Sequence, residues 1–215
     1  MYGRKVGDRE LNFEASGALM QASLVMRDRE TDSWWSIMTS DSIGGELEGT
    51  DLEELPFGEK TTWGDWKRRY PETLILSVDG VEHVENNPYD NYLTSDGTFR
   101  GIEVDDDRLP AKESIFSFWL LDLPFAATHR VIDGGKIYPI DGLEGRVVFL
   151  HRVPGSSMSA SSTAYLVDQA VADELGAGAL LEHIQDHPDV AKRLNGFDTF
   201  WYSWVAINRE SRLLD

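Results

Sequence analysis

Residues 116–151 read FSFWLLDLPFAATHRVIDGGKIYPIDGLEGRVVFLH, and the spacing of apolar positions there decides the fold class. Phe116–Leu121, Ala126–Ile132, Lys136–Ile140 and Arg146–His151 are short runs rich in β-branched and aromatic side chains. Several are bounded by glycine or proline, the pattern of half-buried strands. Asp133-Gly134-Gly135, between the second and third runs, supplies the positive-φ residues that a tight hairpin needs. Similar runs at Glu10–Glu14, Ser23–Arg27 and Ala164–Val167 extend the pattern along the chain.

Helix is clearest near the end. Val171, Leu175, Leu180 and Ile184 keep helical spacing between Asp168 and Asp186, and Gly176 and Gly178 are expected to divide that run into two shorter helices. Pro188 fits the first turn of a further helix running to Leu194 and stopped by Asn195-Gly196. Glu82–Pro110, rich in Asn, Asp, Pro and Gly, reads as a long irregular connection and a lobe boundary. One internal similarity stands out. Thr62-Trp63-Gly64-Asp65-Trp66 with Pro71-Glu72-Thr73 and Leu76 aligns with Phe200-Trp201-Tyr202-Ser203-Trp204, Arg209-Glu210-Ser211 and Leu214. Tryptophans three apart share one face of a helix. The expected architecture is α+β: mainly antiparallel strands in two related lobes, 1–110 and 111–215, each with a Trp-pair helix.

Composition bounds the function classes. At 215 residues and 41% apolar, the chain can bury a substantial core without disulfides or metals. It has no cysteine, which excludes a disulfide framework, a thiolate zinc site, an iron–sulfur cluster and a cysteine nucleophile. The 38 acidic residues against 20 basic ones give a net charge of −18. Such self-repulsion weakens as the screening length falls from about 10 Å at about 0.1 M salt to about 3 Å at about 1 M. The surface therefore reads as adapted to concentrated salt, as in a halophilic organism. The same field argues against nucleic acid and anionic membranes as partners, and Lys67-Arg68-Arg69 is too short a basic stretch to offset it. No apolar run reaches about 18 residues and residues 1–20 lack the order of a secretion signal, so the chain as written reads as cytoplasmic.

Candidate chemistry is sparse. His183 and His187 stand four apart beside Glu182 and Asp186, but Pro188 disfavours helical geometry at His187, so a surface or capping role is expected and no metal site. Asp105-Asp106-Asp107, and Asp90-Asn91 with Ser95-Asp96, lack the alternate spacing of a calcium loop. Gly155-Ser156-Ser157 with Ser159, Ser161 and Ser162 follows a strand but lacks the glycine-x-serine-x-glycine elbow, and reads as a polar turn. No glycine-rich phosphate loop follows a strand, and no cofactor is expected. Trp34-Trp35 must face opposite ways on a strand, which makes the pair a candidate ligand-binding surface. His129 and His151 end predicted strands near polar turns and are the candidate acid–base groups. The favoured reading is a non-catalytic binding or interaction module with an unknown ligand; the rival is an enzyme on a small polar substrate that uses these histidines and nearby acids. An edge strand near Met1–Glu14 would offer a second copy a pairing surface, giving a homo-oligomer.

The order of several motifs is familiar. Arg9-Glu10-Leu11 with Phe13 and Ser16-Gly17, Leu24-Val25-Met26, Asp28-Arg29-Glu30-Thr31, Ser33 with Trp35, and Gly49-Thr50-Asp51-Leu52 come first. Thr62-Trp63 with Trp66-Lys67, Pro71-Glu72-Thr73, Leu76-Ser77 and Pro88-Tyr89 with Tyr92 follow. Together they resemble the uncharacterised prokaryotic domain-of-unknown-function family 3179, densely from about residue 4 to about 123 and more loosely beyond. The resemblance implies no activity. Family members typically begin further upstream with a Cys-Pro-x-Cys-Gly segment, and many look exported or lipid-anchored. Met1 falls where the family would already be inside its domain, so the chain is expected to be a shortened relative or the downstream part of a longer design. Arg27 departs from the aromatic residue usual at its position.

Overall fold

The computed structural model describes residues 2–55, 58, 60–75, 89–154 and 162–215. Short strands β1 (Lys5–Val6) and β2 (Arg9–Glu10) pair with each other. An antiparallel sheet follows, built in sequence order from β3 (Phe13–Met20), β4 (Ser23–Asp28), β5 (Trp34–Ser36) and β6 (Ser42–Gly44). Its register sets Trp35 opposite Met26 and Trp34 opposite Arg27, so alternation sends the two tryptophans to opposite faces. Trp35 packs with Leu11 and Leu52 in a small core, and Trp34 is half-exposed. Helices α1 (Trp63–Arg69) and α2 (Asp90–Thr94) come next.

The rest of the chain forms two further sheets. The first contains β7 (Ser114–Leu120) and β8 (Leu123–Thr128), after which α3 (His129–Ile132) leads to β9 (Lys136–Tyr138), β10 (Arg146–His151) and β11 (Thr163–Asp168). Helix α4 (Gln169–Asp186) is followed by β12 (Ala191–Leu194), β13 (Gly196–Phe200), α5 (Trp201–Val205) and β14 (Arg212–Leu214). The sheet orders are β13-β7-β8-β14 and β12-β11-β10-β9, and every neighbour is antiparallel except β14, which runs parallel to β8. Mostly antiparallel sheets with a few helices make the fold α+β.

Phe116, Phe118, Phe125 and Ala127 of one sheet meet Val148, Leu150, Ala164 and Leu166 of the other in the main core. The opposite face of the β7–β8 sheet presents Ile115 and Ala126 to Trp201, Trp204 and Val205 of α5, where Met38 joins them from beyond β5. Helix α4 covers the outer face of the β10–β11 sheet through Ala172, Leu180 and Ile184. Among the described residues, no helix is long and apolar enough to cross a membrane.

Three local expectations need correction. Asp133-Gly134-Gly135 is not a hairpin turn: β8 ends at Thr128, α3 intervenes, and Lys136–Tyr138 pairs with β10 in the other sheet. Gly134 and Gly135 do take positive φ, but they carry the chain between sheets, and a Cβ on Gly135 would lie 2.8 Å from the Phe149 ring. Pro188 starts only a 3₁₀ turn, because Ala191–Leu194 gains a ladder with β11 instead. Gly196–Phe200 is a strand that hydrophobic patterning did not reveal. Its first residue must be glycine, since a Cβ there would fall 2.4 Å from Phe116 Cζ and 2.8 Å from the Ser117 carbonyl. In α4, Gly176 breaks helical geometry with φ 65°, the interruption expected there.

Candidate functional site

Polar groups gather at one end of the two-sheet core. Strands β10 and β11 pair with His151 opposite Thr163, so Arg152 leaves the sheet beside the point where Ser162 enters it. Asp198, opposite Phe116 on β13, turns its carboxylate towards them. Ser162 Oγ donates to Asp198 Oδ1 at 2.8 Å, and the Ser162 N–H reaches Oδ2 at 3.3 Å. Arg152 is buried, with Nη1 3.3 Å from Ser162 Oγ and 3.6 Å from Asp198 Oδ1. Its Nε is 3.7 Å from Asp133 Oδ1.

His129, the first residue of α3, places Nε2 2.7 Å from Asp198 Oδ1. The approach is close but misaligned for a ring N–H hydrogen bond. Burial opposes the ionised form of Asp198, but His129 and the two Ser162 groups outweigh it, and the carboxyl titrates below its ordinary range. A buried carboxylate is costly unless it is paired and hydrogen-bonded, and here four groups converge on it.

His129 and Asp198 form part of the wall of a cavity of about 290 Å³. Ser114, Thr199, Phe200, Tyr92, Tyr202 and Lys60 form other sides. Phe200 lies 6.4 Å from Tyr202 in a stacked arrangement and 6.0 Å edge-on from Tyr92. Lys112 sits over the Tyr92 ring, 4.2 Å from its centroid, and donates to the Tyr92 and Ser95 carbonyls. The Tyr92 and Tyr202 hydroxyls are 2.7 Å apart, and Tyr202 also accepts the Phe99 N–H at 3.3 Å. Burial, reinforced by Tyr202, pushes the Tyr92 phenol well above its usual range.

A second cavity of about 570 Å³ differs in character: Asp41, Asp51, Glu54 and Asp122 line it, with Trp119 on one side. Burial, with Glu54 and Asp41, raises the nearby Tyr2 phenol.

Of the two histidine candidates, only His129 lines the first cavity. His151 ends β10 with its ring 6.1 Å from Phe149, and burial lowers its pKa while Asp133 partly opposes that. Trp34 and Trp35 do not make a groove: Trp35 is fully buried and its Nε1 donates to Asp28 at 2.8 Å. The rings of His183 and His187 are 4.7 Å apart at the end of α4, outside both cavities. Asp106 pairs with Arg108 at 2.7 Å. Ser156, Ser157, Ser159 and Ser161 lie outside the described residues, while Ser162 serves Asp198 rather than a base. Residue patterns missed Asp198, Arg152, Tyr92 and Tyr202. The one available signal was Asp198 two residues before Phe200, which puts a carboxylate on the same strand face as an aromatic ring.

A family model described as "Protein of unknown function (DUF3179)" matches residues 1–211, nearly twice the span over which the motifs are dense. No curated protein matches the chain, and no solved structure does.

Proposed function

We propose that this chain, which belongs to the DUF3179 family of proteins of unknown function, is a small-molecule binding module whose ligand occupies the cavity beside His129. The observation that carries the reading is the His129–Asp198 pair, 2.7 Å apart, at the wall of an aromatic-sided cavity. A cleft with apolar walls and a few convergent polar groups is the usual form of a ligand site. Its volume holds on the order of ten water-sized groups, which limits the ligand to a small one. Fragment screening by NMR tests this. Hits should shift the Thr199 and Ser203 amides and lose binding in Ser203→Phe, which fills the cavity, with circular dichroism confirming its fold. Hits that bind Ser203→Phe equally well sink the reading.

The same pair supports a second reading, in which His129 moves a proton on a bound substrate. Ser162 gives its proton to Asp198, not to His129, so Ser162 is not a nucleophile activated by this pair. A ligand recovered unchanged after incubation marks a binder; turnover abolished by His129→Gln marks an enzyme.

The chain is further assigned to a salt-adapted protein with two related lobes, 1–110 and 111–215, which pairs with a second copy through an N-terminal edge strand near Met1–Glu14, the segment that runs into β3. Supporting these are the net charge of −18, the matching tryptophan–hydroxyl bonds of the two Trp-pair segments, and the sheet order that leaves β3 outermost. A melting midpoint unchanged between about 0.1 M and about 3 M KCl counts against salt adaptation. A 111–215 fragment without a cooperative melt counts against the lobes, and a strict monomer in light scattering counts against pairing.

A further inference from the structure

We infer that residues 90–101 form a lid over the His129 cavity, latched by Lys112 and Tyr202 and hinged at Arg100 and Gly101. That its opening admits a ligand rests on the binding reading of this cavity; the opening itself does not. The walls of the cavity are built in two ways. Ser114 lies on β7, Asp198, Thr199 and Phe200 on β13, and Tyr202 and Ser203 on α5, whose residues are all buried. Strands β7 and β13 are paired from Ser114 and Phe200 to Phe118 and Gly196, so this side is framework. Tyr92 and Leu93 of α2 also line the cavity, and they belong to a segment of another kind. No residue from 90 to 101 is buried. Its backbone N–H groups bond locally, Leu93 to the Tyr89 carbonyl, Ser95 to Asn91 and Gly101 to Thr98. One helical turn without a buried apolar anchor stands at the low end of local stability.

Among the described residues, two side chains of the body hold this segment shut. Lys112 donates to the Tyr92 and Ser95 carbonyls at the C-terminal end of α2, where helical carbonyls lack partners within the helix. Tyr202 meets the Tyr92 hydroxyl at 2.7 Å and accepts the Phe99 N–H at 3.3 Å. These ties are polar, so water can take them over once the segment swings out. The hinge follows directly. Arg100, with φ 52° and ψ 27°, and Gly101, with φ 69°, are successive left-handed residues, a costly conformation for arginine. No atom lies within 4 Å of where a Cβ of Gly101 would stand, so a change of φ and ψ there meets no obstacle. With the segment in place, the side chains of His129 and Asp198 are only 13% and 5% exposed.

Modification of the full chain by diethylpyrocarbonate, read at each histidine by mass spectrometry, tests the lid with no ligand present. His187, exposed at the end of α4, is the internal control. Lys112→Met keeps an apolar side chain over the Tyr92 and Phe200 rings but removes both donated bonds. It should raise the His129 rate at least about fivefold and leave the His187 rate and the melting midpoint unchanged. Tyr92→Phe, which removes the bond to Tyr202 from the lid side, should act in the same direction. In both variants the Leu93 and Ser95 amides should exchange hydrogen faster while those of Phe116 and Phe118 in β7 do not. A His129 rate that stays at its original value in both variants overturns the lid, because the latch then holds nothing. A His129 rate that rises only together with exchange in β7 also overturns it, because the chain is then unfolding as a whole. Either result leaves the binding reading to the fragment screen, since a ligand can bind a cavity that has no lid.

Discussion

The segments carrying Trp63/Trp66 and Trp201/Trp204 share one tryptophan spacing and have opposite surroundings. In each, the second indole N–H donates to a hydroxyl seven residues downstream, Trp66 to Thr73 at 2.9 Å and Trp204 to Ser211 at 2.6 Å. Around α1 the pair meets solvent: Trp63 is 45% exposed, and Trp66 leans on Tyr70 with Arg69 beside it. Around α5 both indoles are 0% exposed. Trp119 and Phe197 meet Trp204 edge-on, and the Arg108 guanidinium covers Trp201 at 5.0 Å. A local sequence pattern can specify a hydrogen bond, but its energetic weight depends on whether water can replace it.

The largest test of that contrast is truncation. Trp204→Ala should cost about 3–5 kcal/mol, because it opens a cavity under the β7–β8 sheet, whereas Trp66→Ala should cost no more than about 1 kcal/mol. At about 2–4 °C per kcal/mol for a chain of this size, melting curves resolve the two. Equal losses would mean that α1 is as deeply engaged as α5. Removing the hydroxyls is the next step down. Ser211→Ala strands a buried indole N–H and should cost about 1–3 kcal/mol, while Thr73→Ala lets water take the place of the hydroxyl and should cost under about 1 kcal/mol.

A third tryptophan sharpens the comparison, because Trp35 gives its N–H to a charge, Asp28, seven residues upstream. Burial works against the ionised Asp28, but Trp35, Thr31 and the Ser33 backbone outweigh it and lower its pKa. Asp198 is lowered in the same way. A carboxyl depressed in the folded state contributes stability above its unfolded pKa of about 4 and loses it as pH falls through the folded value. His151, whose neutral form is favoured by burial, begins to withdraw stability earlier, as pH falls below about 6.5. Urea unfolding as a function of pH should therefore show two declining stages, and Asp28→Asn should flatten the more acidic one. An unchanged acidic stage in that variant would show that the Trp35 bond does not depend on charge. A further effect is expected at Arg108: Arg108→Met should cost about 0.5–2 kcal/mol through lost stacking on Trp201 and lost donation to the Ser211 carbonyl.

Much of the fold was legible because strand periodicity is a local signal. Ser23–Arg27 and Arg146–His151 correspond to β4 and β10 within a residue or so, and the placement of Trp34 and Trp35 on opposite faces follows from alternation alone. The misreadings came where one local pattern serves two tertiary uses. Asp133-Gly134-Gly135 has the residues of a hairpin, yet here positive φ moves the chain from one sheet to another. Ala191–Leu194 could continue from Pro188 as a helix, and only the unfilled edge of β11 makes it a strand. The candidate site divides in the same way. His129 could be singled out by its position after a strand, but its partner Asp198 is remote in sequence and comes from a strand whose patterning is masked by aromatics on both faces.

What the sequence alone determined is the acidic surface, the cysteine-free chemistry, the antiparallel α+β class and the tryptophan–hydroxyl spacing, since each depends on composition or on neighbours within a few residues. Tertiary structure decided which tryptophan pair is core, which histidine meets a carboxylate, and which cavity joins that pair to aromatic walls. Those outcomes depend on segments brought together across the chain, where burial turns an ordinary polar pair into a site by removing the water that would otherwise compete for it.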